Sequence, residues 1–256
     1  MDRCLTLSST AEAGGHLRTL AGARVFFSHQ SVGGNLLDGL AELGAHTGTG
    51  PNIIPLDRAY PADGPGLLHA FGGENGRPDS KLAFFEAALD GLTRKTSPEV
   101  ALMKFCYADF TPETDVEELL SRYRAAFDRA ARHHRRVLFV HVTVPLTTRP
   151  MGIKARACRL VGRRVWQDAA NQRRHLFNQR LRAAFEGQAV FDLARVESTR
   201  PDGGDETFQR DGRACPALCP GYAADDGHLN GEGRRAVAPE FARVLASAVT
   251  TRRAWS

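Results

Sequence analysis

Short runs of β-forming apolar residues alternate with longer helix-forming stretches along most of this 256-residue chain. The clearest run, residues 137–144, is dominated by Val, Leu and Phe. Such alternation is typical of a parallel sheet that carries helices on both faces. The runs predicted as strands are residues 24–27, 52–55, 100–105, 137–144 and 189–193. We therefore predict an α/β fold with a mostly parallel, five-stranded sheet.

The stretches between these runs have the apolar spacing of helices. Leu36, Leu37 and Leu40 share one helix face in the stretch after the first run. Thr111 and Pro112 are residue types favoured at a helix N-terminus, so a helix is predicted to begin there. The predicted helices are residues 35–43, 80–92, 112–133, 151–186 and 231–249. The segments predicted as long loops are residues 57–78 and 198–227.

The composition is that of a soluble globular protein, with 42% hydrophobic and 25% charged residues. No apolar run has the roughly 18 residues that a membrane span needs. The N-terminal stretch lacks the pattern of a secretory leader, so we expect a cytoplasmic protein with no membrane partner. No linker or repeat divides the chain, and residues 1–256 are predicted to form one domain.

Positive charge is concentrated in one part of the chain. The net charge is +5, and residues 149–182 contain ten Lys or Arg and one acid, Asp168. This segment has two interpretations: a solvated basic helix surface, or a patch that attracts an anionic substrate or partner. Because the chain lacks a recognisable nucleic-acid reading motif, we expect no nucleic-acid partner.

The five cysteines do not predict a metal site. An odd number of cysteines in a chain without a leader favours reduced thiols. Cys215 and Cys219 form a lone C-x3-C pair, and His228 is the nearest histidine. Because structural zinc takes four protein ligands, we predict no metal.

Two serines and two glycines follow the first predicted strand, in residues 28–35, SHQSVGGN. Ser31 is placed on a tight strand-to-helix turn, which glycine permits. Backbone N–H groups at the helix N-terminus favour a developing oxyanion there. Ser31 is therefore a candidate nucleophile, although the pattern also suits a helix cap, and Ser28 is an alternative nucleophile.

An acid and a histidine precede the last predicted helix, in residues 225–228, DDGH. Asp225 stands three residues before His228, so its carboxylate can hold Nδ1–H while Nε2 faces a nucleophile. Asp226 is the alternative acid.

A glycine-rich stretch, residues 69–76, follows the second predicted strand. Its backbone N–H groups, or the amide of Asn75, can complete an oxyanion hole. The alternative interpretation is a surface loop.

The order and placement of these three motifs make the chain resemble the SGNH (GDSL-type) hydrolase superfamily. In that superfamily a nucleophilic serine follows the first strand, and a D-x-x-H block near the C-terminus supplies acid and base. The resemblance implies that Ser31 is the nucleophile, His228 the general base and Asp225 the orienting carboxylate. It also implies a flavodoxin-like three-layer α/β/α sandwich over about residues 22–248, with a basic helical insertion at about residues 149–186.

The chain departs from the superfamily after the third predicted strand. The superfamily has Gly-x-Asn-Asp there, and its Asn helps to bind the oxyanion; here Ala108 stands in place of that Asn, before Asp109. Three explanations are open: Asn75 replaces the missing Asn, the alignment of this block with the superfamily is shifted, or the chain is a weak or non-catalytic relative. Gly73, rather than Gly72, is taken as the glycine donor, and Asp109 is a candidate to hold the Ser31 turn through backbone N–H groups.

The expected function is that of a serine esterase or acyltransferase that needs no cofactor. Its expected partner is a small-molecule or glycan ester, with Arg163 and Arg164 of the basic insertion binding an anionic group. The alternative is a non-catalytic protein that uses the same cleft to bind a ligand. An α/β-hydrolase is disfavoured because Ser31 lies early in the chain and the acid lies only three residues before the histidine.

Overall fold

A six-stranded, wholly parallel sheet forms the centre of the fold. The structure is a computed structural model, and it describes residues 7–56, 64–92 and 97–255. The strand order is β2-β3-β1-β4-β5-β6. The strands are β1 (Arg24–His29), β2 (Ile53–Pro55), β3 (Gly66–Phe71), β4 (Val100–Met103), β5 (Leu138–Val142) and β6 (Val190–Phe191). The connections that follow β1 and β4 run toward opposite edges of the sheet. Such a switch point leaves a crevice at the carboxyl ends of the strands.

Helices cover both faces of this sheet. They are α1 (Leu7–Ala21), α2 (Val32–Thr47), α3 (Pro78–Gly91), α4 (Val116–His133), α5 (Ile153–Leu160), α6 (Trp166–Ala184), α7 (Leu193–Ser198) and α8 (Gly231–Arg253). The helices α1, α2 and α8 pack together on one face, and α3, α4 and α6 pack on the other. The structure therefore confirms the three-layer α/β/α fold class.

The alternation of side chains along β1 divides the core into two halves. Phe27 lies 5.7 Å from Phe241 of α8, measured between ring centroids, whereas Phe26 lies 6.0 Å from Phe85 of α3. Successive residues of a strand point to opposite faces, so a central strand covered on both faces carries apolar residues on both, as Val25, Phe26 and Phe27 do. This explains why the run at residues 24–27 carries no polar alternation.

The predicted count of five strands is wrong, because β3 lies inside the segment predicted as a loop at residues 57–78. It pairs along its whole length with β1, from Arg24 opposite Gly66 to His29 opposite Phe71. Prolines and glycines immediately before β3 favoured a loop, but pairing on both sides overrides local propensity. Residues 57–63 of that segment lie outside the described residues.

Three further features were not predicted: α1, α7 and a hairpin of β7 (Thr207–Arg210) and β8 (Arg213–Pro216), which lies within the predicted loop 198–227. The hairpin turns at Asp211 and Gly212, which have φ of 50° and 72°. Two successive positive φ values are typical of a two-residue hairpin turn, for which Asp-Gly is a preferred pair. The Asp211-Gly212 dipeptide is therefore the sequence feature that could have predicted this hairpin.

The two helix predictions in the middle of the chain need correction. The stretch 151–186 is two helices, because the chain turns between α5 and α6 at Gly162, with φ of 67°. The helix predicted from Pro112 begins at Val116, where the Asp115 side chain caps the N–H of Glu118 at 3.0 Å. Within the described ranges, no helix has the length and apolarity needed to cross a membrane.

Candidate active site

Ser31 lies at the carboxyl end of β1, at the N-terminus of α2. Its side chain is partly exposed, and Oγ lies 3.8 Å from Sγ of Cys106, which follows β4. The turn requires glycine at position 33, because a Cβ there would lie 2.3 Å from Cβ of His29. The predicted strand-to-helix turn is therefore present, and it places Ser31 in the crevice between β1 and β4.

Asp225 and His228 form a hydrogen-bonded pair in the loop before α8. Oδ2 of Asp225 lies 2.6 Å from Nδ1 of His228, and Oδ1 accepts the backbone N–H groups of Gly227 and His228 at 2.9 and 2.8 Å. These backbone donors, together with the His228 ring, lower the pKa of the Asp225 carboxyl to about 2. The carboxylate therefore stays ionised near neutral pH and favours the His228 tautomer in which Nδ1 carries the proton.

The structure distinguishes Asp225 from the alternative acid, Asp226. The Asp226 side chain is exposed, and its backbone carbonyl accepts the N–H of Thr148 at 2.8 Å. The pairing with His228 thus belongs to Asp225, while Asp226 joins this loop to the segment that follows β5.

Residues 106 and 107 lie between Ser31 and His228. Cys106 contacts Ser31, and the ring of Tyr107 meets the ring of His228 edge to face, with centroids 5.8 Å apart. Gly227 allows this approach, since a Cβ there would lie 2.5 Å from the Tyr107 ring. In this structure the hydrogen-bonding neighbour of Ser31 Oγ is Cys106 and not His228.

The N-terminus of α2 also anchors the histidine loop. Oδ1 of Asn35 accepts the N–H of Leu229, the residue after His228, at 3.0 Å. Because Asn35 lies one helical turn after Ser31, a single helix end positions both the serine and the histidine loop.

The glycine loop after β3 approaches the same turn. The side chain of Gln30 donates to the carbonyls of Gly73 and Gly72 at 2.6 and 3.2 Å. The N–H of Gly72 is bonded to the carbonyl of His29, whereas that of Gly73 has no acceptor in the part of the chain that the structure describes. Gly73 also has φ of 68°. Of the two glycines, Gly73 is therefore the one with an N–H left to donate.

Asn75 is oriented by a buried lysine. Its Oδ1 accepts Nζ of Lys81 at 3.0 Å, which leaves the amide Nδ2 to serve as a donor. The next residue, Gly76, lies close to Ala108, because a Cβ on Gly76 would be 3.9 Å from the Ala108 carbonyl. The loop that carries Asn75 therefore passes beside the turn that holds Ala108.

Asp109 lies behind the site and not in it. Its carboxylate is buried against Nζ of Lys81 at 2.6 Å, and it accepts the N–H groups of Cys106 and Gly76 at 2.6 and 2.8 Å. The expectation that Asp109 holds the Ser31 turn is therefore wrong: it joins the glycine loop to the turn after β4. With these donors around it, Asp109 has no oxygen exposed to a substrate.

Arg163 and Arg164 are not brought to the site. Both are exposed in the connection between α5 and α6, and Arg164 pairs with Glu113 at 3.1 Å. Within the described residues, neither forms an ion pair with Asp225 or a hydrogen bond with Ser31. Their predicted contact with a substrate has no geometric support in this structure.

A buried polar layer under the site was not predicted. Nε of Arg174 donates to the carbonyl of Tyr107 at 3.1 Å, and Nη1 donates to Thr147 at 3.0 Å. Burial lowers the pKa of Lys104 to about 8 and raises the pKa of Glu197 to about 8. The inward face of α6 carries polar residues at helical spacing, and this spacing could have predicted the buried polar layer. These residues are Asp168, Asn171, Arg174 and Asn178.

Neither a protein-family model nor a curated protein matches this sequence. The chain is similar in structure to a Streptococcus pneumonia protein described as a platelet activating factor, with a TM-score of 0.52 and 13% identity over 93% of this chain and 90% of that chain. A lipase/acylhydrolase from Enterococcus faecalis gives 0.47 and 14% identity, over 87% of this chain and 95% of that chain. A lipolytic protein of the G-D-S-L family from Desulfitobacterium hafniense DCB-2 gives 0.47 and 12%, over 86% and 98%. The fold of this chain is therefore similar to that of the first of these proteins.

Proposed function

We propose that this protein is a serine esterase or acyltransferase in which Ser31 is the nucleophile, His228 the general base and Asp225 the orienting carboxylate. The observation that carries the proposal is the 2.6 Å hydrogen bond between Asp225 and His228, at the same edge of the sheet as Ser31. An imidazole held through Nδ1 by an ionised carboxylate presents Nε2 as a base, which is the arrangement that activates a serine hydroxyl.

The first step requires Ser31 Oγ to turn from Cys106 toward His228. Rotation about the Cα–Cβ bond moves the hydroxyl, and catalytic hydrogen bonds are often long before substrate binds. His228 Nε2 accepts the hydroxyl proton as Oγ attacks the acyl carbonyl. The same proton then passes to the leaving alcohol, and an acyl-serine forms. Water or another acceptor releases the acyl group by the reverse sequence of proton transfers.

Three donors are available to the tetrahedral oxyanion. They are the backbone N–H of Ser31, the backbone N–H of Gly73 and the side-chain amide of Asn75, whose Oδ1 is already held by Lys81. This proposal assigns to Asn75 the role that Ala108 cannot perform. The substrate class, an anionic or carbohydrate-type ester, stays a prediction from the sequence.

Labelling with a fluorophosphonate tests the nucleophile. Intact-mass measurement of the native protein is expected to show one adduct, which peptide mapping assigns to Ser31. The variants Ser31→Ala and His228→Ala are expected to show none, with unchanged thermal unfolding. An adduct on Ser28 would assign the nucleophile to the alternative serine.

The second candidate function is ligand binding without catalysis. Two observations favour it: Ser31 Oγ faces Cys106, and Ala108 replaces the oxyanion Asn. If the folded native protein gives no adduct, this function replaces the first. The cytoplasmic location and the single domain over residues 1–256 stay predictions from the sequence.

A further inference from the structure

Large apolar side chains are exposed mainly in one short segment, residues 151–166. Five of the seven exposed large hydrophobic residues among those described lie there. Their exposed fractions are Met151 58%, Ile153 88%, Leu160 86%, Val161 69% and Trp166 52%. A concentration of this kind marks a surface that contacts another molecule or a membrane, since isolated exposed apolar residues are spread more evenly.

The helix α5 within this segment displays its apolar face outward. None of its residues is buried, and Ile153, Ala157 and Leu160 share one face through i, i+4 and i+7 spacing. On the opposite side Arg159 pairs with Asp168 of α6 at 2.8 Å. A helix that packs on a domain core has the reverse orientation, and within the described ranges Ile153 and Leu160 of this face are exposed.

The same segment is strongly basic. Residues 151–166 contain five Lys or Arg and no acid. Arg159 and Arg164 are paired with Asp168 and Glu113. Lys154, Arg156 and Arg163 are exposed and have no acidic partner within the described ranges. The five apolar residues and these three cations together are called the α5 surface below.

We propose that the α5 surface binds an anionic phospholipid bilayer. Lys and Arg beside an outward apolar face that includes Ile and Leu, with an exposed Trp at the start of the next helix, have the composition of helices that lie in the membrane interface. Each of the five apolar side chains is more than half exposed, which suits insertion into a fluid interface. The cations select anionic headgroups.

This inference goes beyond the proposed activity and does not depend on it. It replaces the expectation, drawn from the sequence, that the protein has no membrane partner. Thr148, which lies three residues before this segment, donates its N–H to the carbonyl of Asp226 at 2.8 Å.

Sedimentation with vesicles tests the proposal on the full chain. The native protein is expected to bind vesicles of phosphatidylglycerol and phosphatidylcholine, and to bind pure phosphatidylcholine at least about tenfold more weakly. The double variant Ile153→Asp/Leu160→Asp is expected to lose about tenfold or more in partitioning. Because α5 has no buried residue, circular dichroism and thermal unfolding should match the native protein. Ser31→Ala is expected to bind vesicles as the native protein does, which separates this proposal from the catalytic one.

The two tryptophans provide a matched control, since Trp166 is 52% exposed and Trp255 is 58% exposed. In Trp255→Phe, the remaining Trp166 is expected to shift its emission to the blue with anionic vesicles and to be quenched by brominated lipid. In Trp166→Phe, the remaining Trp255 is expected to show neither change.

Three results would overturn the proposal. These are the absence of binding to anionic vesicles, binding that the Asp substitutions in α5 leave unchanged, and a lipid response from Trp255 alone. Lipid-independent dimerisation abolished by the same Asp substitutions would also overturn it and would assign the surface to a second copy of the chain.

Discussion

Two carboxylates on opposite sides of the candidate site differ in almost every physical respect. The Asp225 side chain is 56% exposed and bonded to His228, whereas Asp109 is fully buried against Lys81. Backbone N–H groups hold the exposed carboxylate, so it keeps its charge and its geometry without burial. The buried carboxylate joins two loops and faces no solvent. An exposed carboxylate can thus keep its charge through backbone donors, whereas a fully buried one needs a cationic partner.

The largest effect is expected on the exposed side. His228→Ala should lower kcat for a chromogenic ester such as p-nitrophenyl acetate by about 10⁴-fold, because the serine loses its base. The stability to urea should change little, since the His228 side chain is partly exposed. A His228→Ala variant with native activity would remove His228 from the mechanism.

Substitution of the buried carboxylate, Asp109, is expected to change the free energy of unfolding. Asp109→Asn leaves Lys81 buried without its counter-ion and should lower the free energy of unfolding by about 3–5 kcal/mol. The matched control is Asp79→Asn, which breaks the exposed pair with Arg122 and should cost about 1 kcal/mol or less. Urea unfolding measures both, and equal losses would contradict the supporting role of Asp109.

Asn75 connects the buried Asp109–Lys81 pair to the candidate site, because its Oδ1 accepts Nζ of Lys81. Its amide Nδ2 is the proposed oxyanion donor. Asn75→Ala should lower kcat by about 100- to 1000-fold, with KM changed far less, since the donor acts in the transition state. The neighbouring exposed residue supplies a control, Glu74→Ala, which should retain native kcat. If the two variants behave alike, a different group stabilises the oxyanion.

The smallest expected effect is the pH dependence that Asp225 confers. Its folded pKa of about 2 lies below the ordinary value of 3.8, so the folded state favours the ionised carboxylate. The stabilisation is complete above about pH 5 and is lost as the pH falls toward 2. Because the carboxylate is more than half exposed, the contribution should be about 1 kcal/mol or less.

Urea unfolding at pH 5 and pH 3 measures this contribution. Asp225→Asn should reduce the stability difference between the two pH values. Asp226→Asn is the control and should leave that difference unchanged. A larger effect from Asp226 would reverse the assignment of the two acids.

Local features of the site could be predicted, whereas its supporting contacts could not. The pairing of Asp225 with His228 depends on three-residue spacing, and the Ser31 turn depends on a strand, glycines and a helix in direct succession. The contact of Ser31 with Cys106 joins residues 75 positions apart, and the bond from Asn35 to Leu229 joins residues 194 apart. Contacts between residues so far apart in the sequence leave no local sequence pattern.

The sequence by itself determined the parallel α/β class, the serine turn and the acid–histidine pair, because each depends on periodicity or spacing within a few residues. Only the tertiary structure decided that residues 66–71 form a central strand and that Asp109 supports the site through Lys81. It also decided that α5 displays its apolar face outward. Strand pairing, charge burial and the exposure of a helix face all depend on neighbours that are remote in sequence, and these exist only once the chain has folded.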